Sequence, residues 1–152
     1  MPPRWTVCHN RPILNETEIA LQGSVRELER LATAVSDFCR ANALDDDVEF
    51  DLNLGLEELF TNSLRHGGCR GIQDAARIRL RAAPEGIEVE YLDRGSPFNP
   101  LDAPRPDLAA PLVHRQDGGL GIHLVRQIMQ DVRYRRVADT NELKMIRRME
   151  PK

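Results

Sequence analysis

The sequence predicts a chain of the α+β class (α/β in the broad sense), and three stretches carry that prediction. Val25, Leu28, Leu31, Ala32, Val35, Phe38 and Cys39 recur at the spacing of one helix face. Leu52, Leu56, Leu59, Phe60, Ser63 and Leu64 do the same further along the chain. Arg77-Ile-Arg-Leu-Arg81 and Ile87-Glu-Val-Glu-Tyr91 instead alternate with a period of two, as half-buried strands do.

Bulk properties narrow the function classes. A chain of 152 residues with 41% hydrophobic and 30% charged residues suits a single domain, 1–152, with a sizeable core. A formal net charge of -3 argues against binding nucleic acid through phosphate neutralisation. No apolar run approaches the ~18 residues that span a bilayer, and Met-Pro-Pro-Arg-Trp lacks a signal-peptide core. Cys8, Cys39 and Cys69 are odd in number, with no CxxC pair and no metal-ligand spacing to the histidines. The expectation is reduced thiols in a cytoplasmic protein without direct contact to nucleic acid or membrane.

Taken in order, residues 1–11 read as a lead-in and Ile13 to Leu21 as a first strand of partial alternation. Gly23 breaks the chain, and Ser24-Val-Arg-Glu27 has the form of a capping box opening a helix over about 24–41. Asp45, Asp46 and Asp47 suit the positive end of the next helix, which stops at Gly67-Gly68. Pro84-Glu-Gly86 is the turn between the two alternating strands, whose outward residues are Arg77, Arg79 and Arg81 against Glu88 and Glu90. Five of the ten prolines fall in 97–111, so 97–117 reads as a surface loop or lid. Asp117-Gly-Gly-Leu-Gly-Ile122 runs into Leu124, Val125, Ile128 and Met129 at helical spacing. Val132 to Val137 and Leu143 to Met149, around a turn at Asp139-Thr140-Asn141, suggest a closing hairpin.

Three places carry chemistry. On the second helix Glu58, Asn62, Arg65 and His66 are spaced i, i+4, i+7 and i+8 and share a face, whereas Glu57 points about 140° from Asn62. Such a face offers a carboxylate to a hydroxyl or water, an amide oxygen to a hard cation, and a base to phosphate charge. Asp93 continues the inward series Ile87, Val89, Tyr91, so an acid that needs a partner ends an apolar face beside the Arg94-Gly95 turn. Gly118-Gly119-Leu120-Gly121 opens a helix, where backbone N–H groups can approach phosphates. Taken singly, the first two stretches read better as a solvated helix face and an Asp-x-Gly turn, and the third is weak evidence for more than a glycine-rich turn.

Their order and spacing together carry more. Glu58-x-x-x-Asn62 with His66-Gly67, then Asp93-x-Gly95-x-Pro97-Phe98, then Gly118-Gly119-x-Gly121 resembles the nucleotide-binding boxes of the histidine-kinase-like ATPases, the GHKL superfamily. The short length and compact lid look most like its anti-sigma-factor serine/threonine kinases of the RsbW and SpoIIAB type. The resemblance covers about 13–149 and implies the Bergerat fold: a two-layer sandwich of a mixed, mostly antiparallel sheet with helices on one face. It implies ATP and Mg2+ as ligands, with Asn62 on the metal and Glu58 as general base or water-positioning group. Asp93 would accept from the adenine amino group, and Gly95 would let the base lie close. Gly119 and Gly121 would cradle phosphates through backbone N–H groups, with Leu120 between them in the same set and Arg65 near phosphate. His66 would be a packing and hinge residue.

The implied activity is phosphorylation of a Ser or Thr on a STAS-domain anti-anti-sigma factor, with a sigma factor bound in the alternative complex and the kinase a homodimer. A nucleotide-dependent binding module without transfer is the second reading, which Glu58 weighs against. The chain has no phospho-acceptor histidine followed by an acid on a helix ahead of the boxes, and no dimerisation helix pair, against a sensor histidine kinase. A small ATPase of the repair or topoisomerase type is the weaker expectation, because no transducer domain is read in these 152 residues. Two positions depart from the pattern. Relatives often carry a glycine in the last hairpin, where this chain has Asp139-Thr140-Asn141, which leaves a nucleotide contact by Thr140 doubtful. Asp117 puts an acid beside the phosphate box; it could face away, order Mg2+-linked water or mark weak binding.

Overall fold

A computed structural model describes residues 15–104, 109 and 119–150. The elements are β1 (Asn15–Leu21), α1 (Glu27–Ala41), α2 (Asp46–Arg65), β2 (Ala76–Ala83), β3 (Gly86–Asp93), a 3-10 turn (Pro100–Asp102), α3 (Gly119–Ile128), β4 (Gln130–Val137) and β5 (Thr140–Arg148). The strands form one sheet in the order β1-β2-β3-β5-β4. All four pairings are antiparallel, so the sheet expected to be mixed has no parallel pair among the described residues.

Alternation divides the sheet into two faces. Ile78, Leu80, Ile87, Val89, Tyr91, Leu143 and Met145 are buried on the inner face, as the period of two requires. They meet Leu31, Val35 and Phe38 of α1, Leu52, Leu56, Leu59, Phe60 and Leu64 of α2, and Ile122 and Val125 of α3 in one core. α2 packs against both α1 and α3, and Arg147 of β5 reaches Asp51 of α2 at 2.7 Å. The outer face is a charge ladder in which register places Arg79 opposite Glu18 and Glu90, and Arg81 opposite Glu16 and Glu88. Arg79 reaches Glu18 at 2.9 Å and Glu90 at 3.2 Å. Such exposed pairs stabilise little individually, and the apolar layer holds the fold. Leu56→Ala, at a position with no exposed surface, is expected to cost about 2–5 kcal/mol in urea denaturation.

Several boundaries differ from expectation for local reasons. The capping box does not form, and α1 starts at Glu27 rather than near Ser24. Gly23 is paired instead with the 69–72 loop, donating to Ile72 O at 2.9 Å and accepting from Gly71 N at 2.8 Å. Glu27 turns its carboxylate to the Gln22 N–H at 3.0 Å, and Val25, expected in the core, is exposed. The last turn is Ala138–Asp139, with Ala138 at φ +53, so Thr140 and Asn141 belong to β5 and not to a loop. Of the 97–117 segment, the described part holds the 3-10 turn, opened by Asn99 Oδ1 accepting the Leu101 N–H at 2.9 Å. Cys8, Ile13, Gly118 and Asp117 lie outside the described residues, as does most of the expected lid.

Candidate functional site

α2 supplies one end of the site. Its apolar stripe is buried in the core, which leaves Glu58 and Asn62 half-buried one turn apart and Glu57, Arg65 and His66 exposed. Neither Glu58 nor Asn62 has a side-chain hydrogen bond to another described residue. α3 crosses α2 closely enough for Met129 Cε to lie 3.1 Å from where a Cβ on Gly55 would stand. The same approach sets Gly121 against Glu58: a Cβ there would fall 2.0 Å from Glu58 Oε2 and 2.9 Å from its carboxyl carbon. The Glu58 carboxylate therefore rests on the first turn of α3, where the positive end of a helix favours negative charge. Gly119 and Leu120 open that turn.

The end of β3 supplies the other half. Asp93 Oδ1 accepts from the Gly95 N–H at 2.8 Å and from Asn141 Nδ2 at 3.0 Å. Gly95 is wedged: a Cβ would stand 2.8 Å from Asp93 Oδ1 and 2.9 Å from Gly67 O. Ser96 N donates to Gly67 O at 2.9 Å, tying the 94–98 turn to the end of α2. Beneath it Tyr91 OH and Ser63 Oγ share a 2.7 Å hydrogen bond, and Ser63 Oγ also reaches Leu59 O at 3.0 Å. Those contacts bring the two halves of the site to one end of α2.

Two neighbours of Asp93 stay neutral at ordinary pH. Burial, and then the Asp93 charge, push the Cys69 thiol up to about 11 and hold Tyr91 well above its usual 10. Cys39, raised to about 11 by burial and by Glu49, behaves alike. An acid whose pKa is raised on folding contributes stability that is full below its unfolded value and lost as pH climbs through the folded one. Urea midpoints are therefore expected to fall between pH 9 and 11, and replacing Cys39 and Cys69 by alanine should flatten that slope.

The structure joins Glu58 to Gly121 and Asp93 to Gly95; among the described residues the Arg65 and Asn62 side chains form no hydrogen bond to any of the four. Asn141 and Arg136 escaped sequence reading. Arg136 Nη1 donates to Gly95 O at 2.7 Å, and Asn141 contacts Asp93 itself. A signal for Asn141 existed: it starts the inward series Asn141, Leu143, Met145, as Asp93 ends its own. Thr140, by contrast, is turned to Asp139 Oδ1 at 3.1 Å.

The donor set fits a nucleotide and a hard cation. Gly95 and Gly121 leave cradles that a side chain would fill, Asp93 keeps Oδ2 without a partner among the described residues, and Asn62 carries an amide oxygen suited to Mg2+. No group of three or more His, Cys, Asp or Glu that could hold a metal occurs among the described residues, and no described helix is long and apolar enough to cross a membrane.

Comparison with known proteins places the chain in a family. The family described as histidine kinase-like ATPase domain matches residues 21–147. The serine/threonine-protein kinase BtrW of Bordetella bronchiseptica is 30% identical over 96 residues, 63% of this chain and 68% of BtrW. The serine-protein kinase RsbW of Bacillus cereus is 24% identical over 95 residues, 57% of this chain and 56% of RsbW. A crystal structure of the RsbU and RsbW domains of Rv1364c from Mycobacterium tuberculosis superposes with a TM-score of 0.65 at 12% identity, over 88% of this chain and 32% of that one. At that identity the likeness is one of fold.

Proposed function

Since this chain belongs to the histidine kinase-like ATPase domain family, we propose that it binds ATP and transfers the γ-phosphoryl group to a serine or threonine of a partner protein. The observation that carries the reading is the seat of Glu58: a carboxylate on the first turn of α3, one helical turn from the Asn62 amide. A binding module has no use for a proton acceptor there. The kinase names of the relatives support the same reading.

In this mechanism Asp93 accepts from the exocyclic amine of adenine, with Gly95 admitting the base plane. Gly119, Leu120 and Gly121 direct backbone N–H groups at the phosphates, and Arg65 adds charge from the end of α2. Asn62 holds Mg2+, which neutralises phosphate charge when bound. Glu58 orients the acceptor hydroxyl and takes its proton as the Ser or Thr oxygen bonds to the γ-phosphorus. The bond to the β,γ-bridging oxygen breaks, and ADP leaves.

The kinship with RsbW-type kinases extends the proposal to a partner switch in the cytoplasm. A homodimer of this chain phosphorylates a STAS-domain anti-anti-sigma factor and holds a sigma factor in the alternative complex. Phosphorylation weakens one complex and frees the kinase for the other. Affinity capture from the source lysate, with Mg·ATP and with Mg·ADP, tests this by mass spectrometry of bound proteins and new phosphosites. A STAS-type protein phosphorylated on Ser or Thr, with a sigma factor retained under ATP, is the expected result. Nucleotide-dependent capture without a phosphosite would leave a binding module, and capture indifferent to nucleotide would remove the ATP reading.

A further inference from the structure

Asn141 is only 5% exposed, yet its amide is fully used. Nδ2 donates to Asp93 Oδ1 at 3.0 Å and to Ser96 O at 2.8 Å. Oδ1 accepts from Tyr134 OH at 2.6 Å and from the Phe98 N–H at 3.3 Å. Two donors and two acceptors are all an amide has. The reversed amide would set Nδ2 against the Phe98 N–H and Oδ1 against two oxygens, so the partners fix its orientation.

This places one buried side chain between the acid at the end of β3, both sides of the 96–98 turn and the edge strand β4. With the Gly95 N–H it fills Asp93 Oδ1, which leaves Oδ2 as the oxygen that can accept from a ligand. We propose that Asn141 is a positioning residue for base selection: by pinning Asp93 and the 96–98 turn together, it aims one carboxylate oxygen at a purine amine and against a purine carbonyl. The inference rests on the nucleotide-binding reading above. It assigns the discrimination between adenine and guanine nucleotides to a residue that touches the base only through Asp93.

Asn141→Asp is the informative change, because it is isosteric. It keeps an acceptor for Tyr134 OH and the Phe98 N–H, and replaces the donor facing Asp93 by a second carboxylate oxygen. Titration calorimetry of the full chain with Mg·ATP and Mg·GTP is expected to show at least a tenfold loss of ATP affinity and a narrowed ATP-over-GTP preference (about the worth of a hydrogen bond to a charged group). ATP affinity relative to wild type should recover as pH falls from 8 to 5, when a proton shared by the two carboxyls restores a donor. Of the other groups facing the pair, Cys69 and Tyr91 stay neutral throughout that range, and Tyr134, Arg94 and Arg136 bring no further carboxylate. Tyr134→Phe, which removes one contact to Asn141 but none to Asp93, should stay within about threefold of wild type.

Should Asn141→Asp fail to fold in a thermal melt, Asn141→Ala carries the same affinity and preference test. Unchanged affinity and preference in the substituted protein would overturn the inference while leaving the nucleotide reading intact, and so would an equal loss in Tyr134→Phe. A wild-type chain that binds neither nucleotide would instead overturn the nucleotide reading, and this inference with it.

Discussion

Glu58→Gln is expected to slow phosphoryl transfer by about 10²–10⁴-fold while ATP affinity stays within about threefold. Glutamine has the shape of the carboxylate it replaces, so it fits the space against Gly121 where Glu58 Oε2 lies. What it lacks is basicity. Asn62, one turn on, and the Asp93 end of the site are untouched, so binding has no reason to change. Single-turnover transfer to the captured acceptor protein, beside calorimetry with Mg·ATP, separates the two quantities. Full transfer by the glutamine variant would take Glu58 out of the mechanism; parallel loss of both would make it a structural residue.

Gly121→Ala approaches the same contact from the other side. Alanine in a helix is favoured over glycine by about 1 kcal/mol, so propensity alone predicts a stabler protein. The new Cβ, however, would stand 2.0 Å from Glu58 Oε2. The carboxylate is the free end of a flexible side chain, so it swings away at little cost in stability. The expected result is an unchanged or raised melting temperature with transfer slowed about 10²-fold, the penalty of a reacting group displaced by about an ångström. Because both changes act on one contact, the double variant should transfer no more slowly than Glu58→Gln alone. A fully additive loss would show that Gly121 acts through something other than Glu58.

Much of this arrangement was legible in the chain. The strands β2 and β3 follow from alternation, and their outward Arg and Glu residues pair across the ladder as their register implies. The end of α2 was readable to within two residues, Arg65 closing the helix just ahead of Gly67-Gly68, and so was the inward parity of Asp93. Errors arose where a local pattern lost to a longer-range bond. Ser24-Val-Arg-Glu27 has the letters of a capping box, but Gly23 pairs with the 69–72 loop and Glu27 reaches Gln22, so the helix begins later. Asp139-Thr140-Asn141 has the composition of a turn, yet the turn closes one residue earlier and Asn141 becomes a buried member of β5.

By itself the sequence determined the α+β class, the amphipathic faces of α1 and α2, the alternation of the central strands and the spacing of the three boxes. These are properties of neighbouring residues, written in periods of 3.6 and 2. Only the tertiary structure decided that Glu58 rests on Gly121, sixty-three residues away, and that Asn141 holds Asp93 across forty-eight. Both contacts depend on how α3 crosses α2 and on the register of β5 against β3. Crossing and register are set by the packing of the whole core, which no window of the sequence contains.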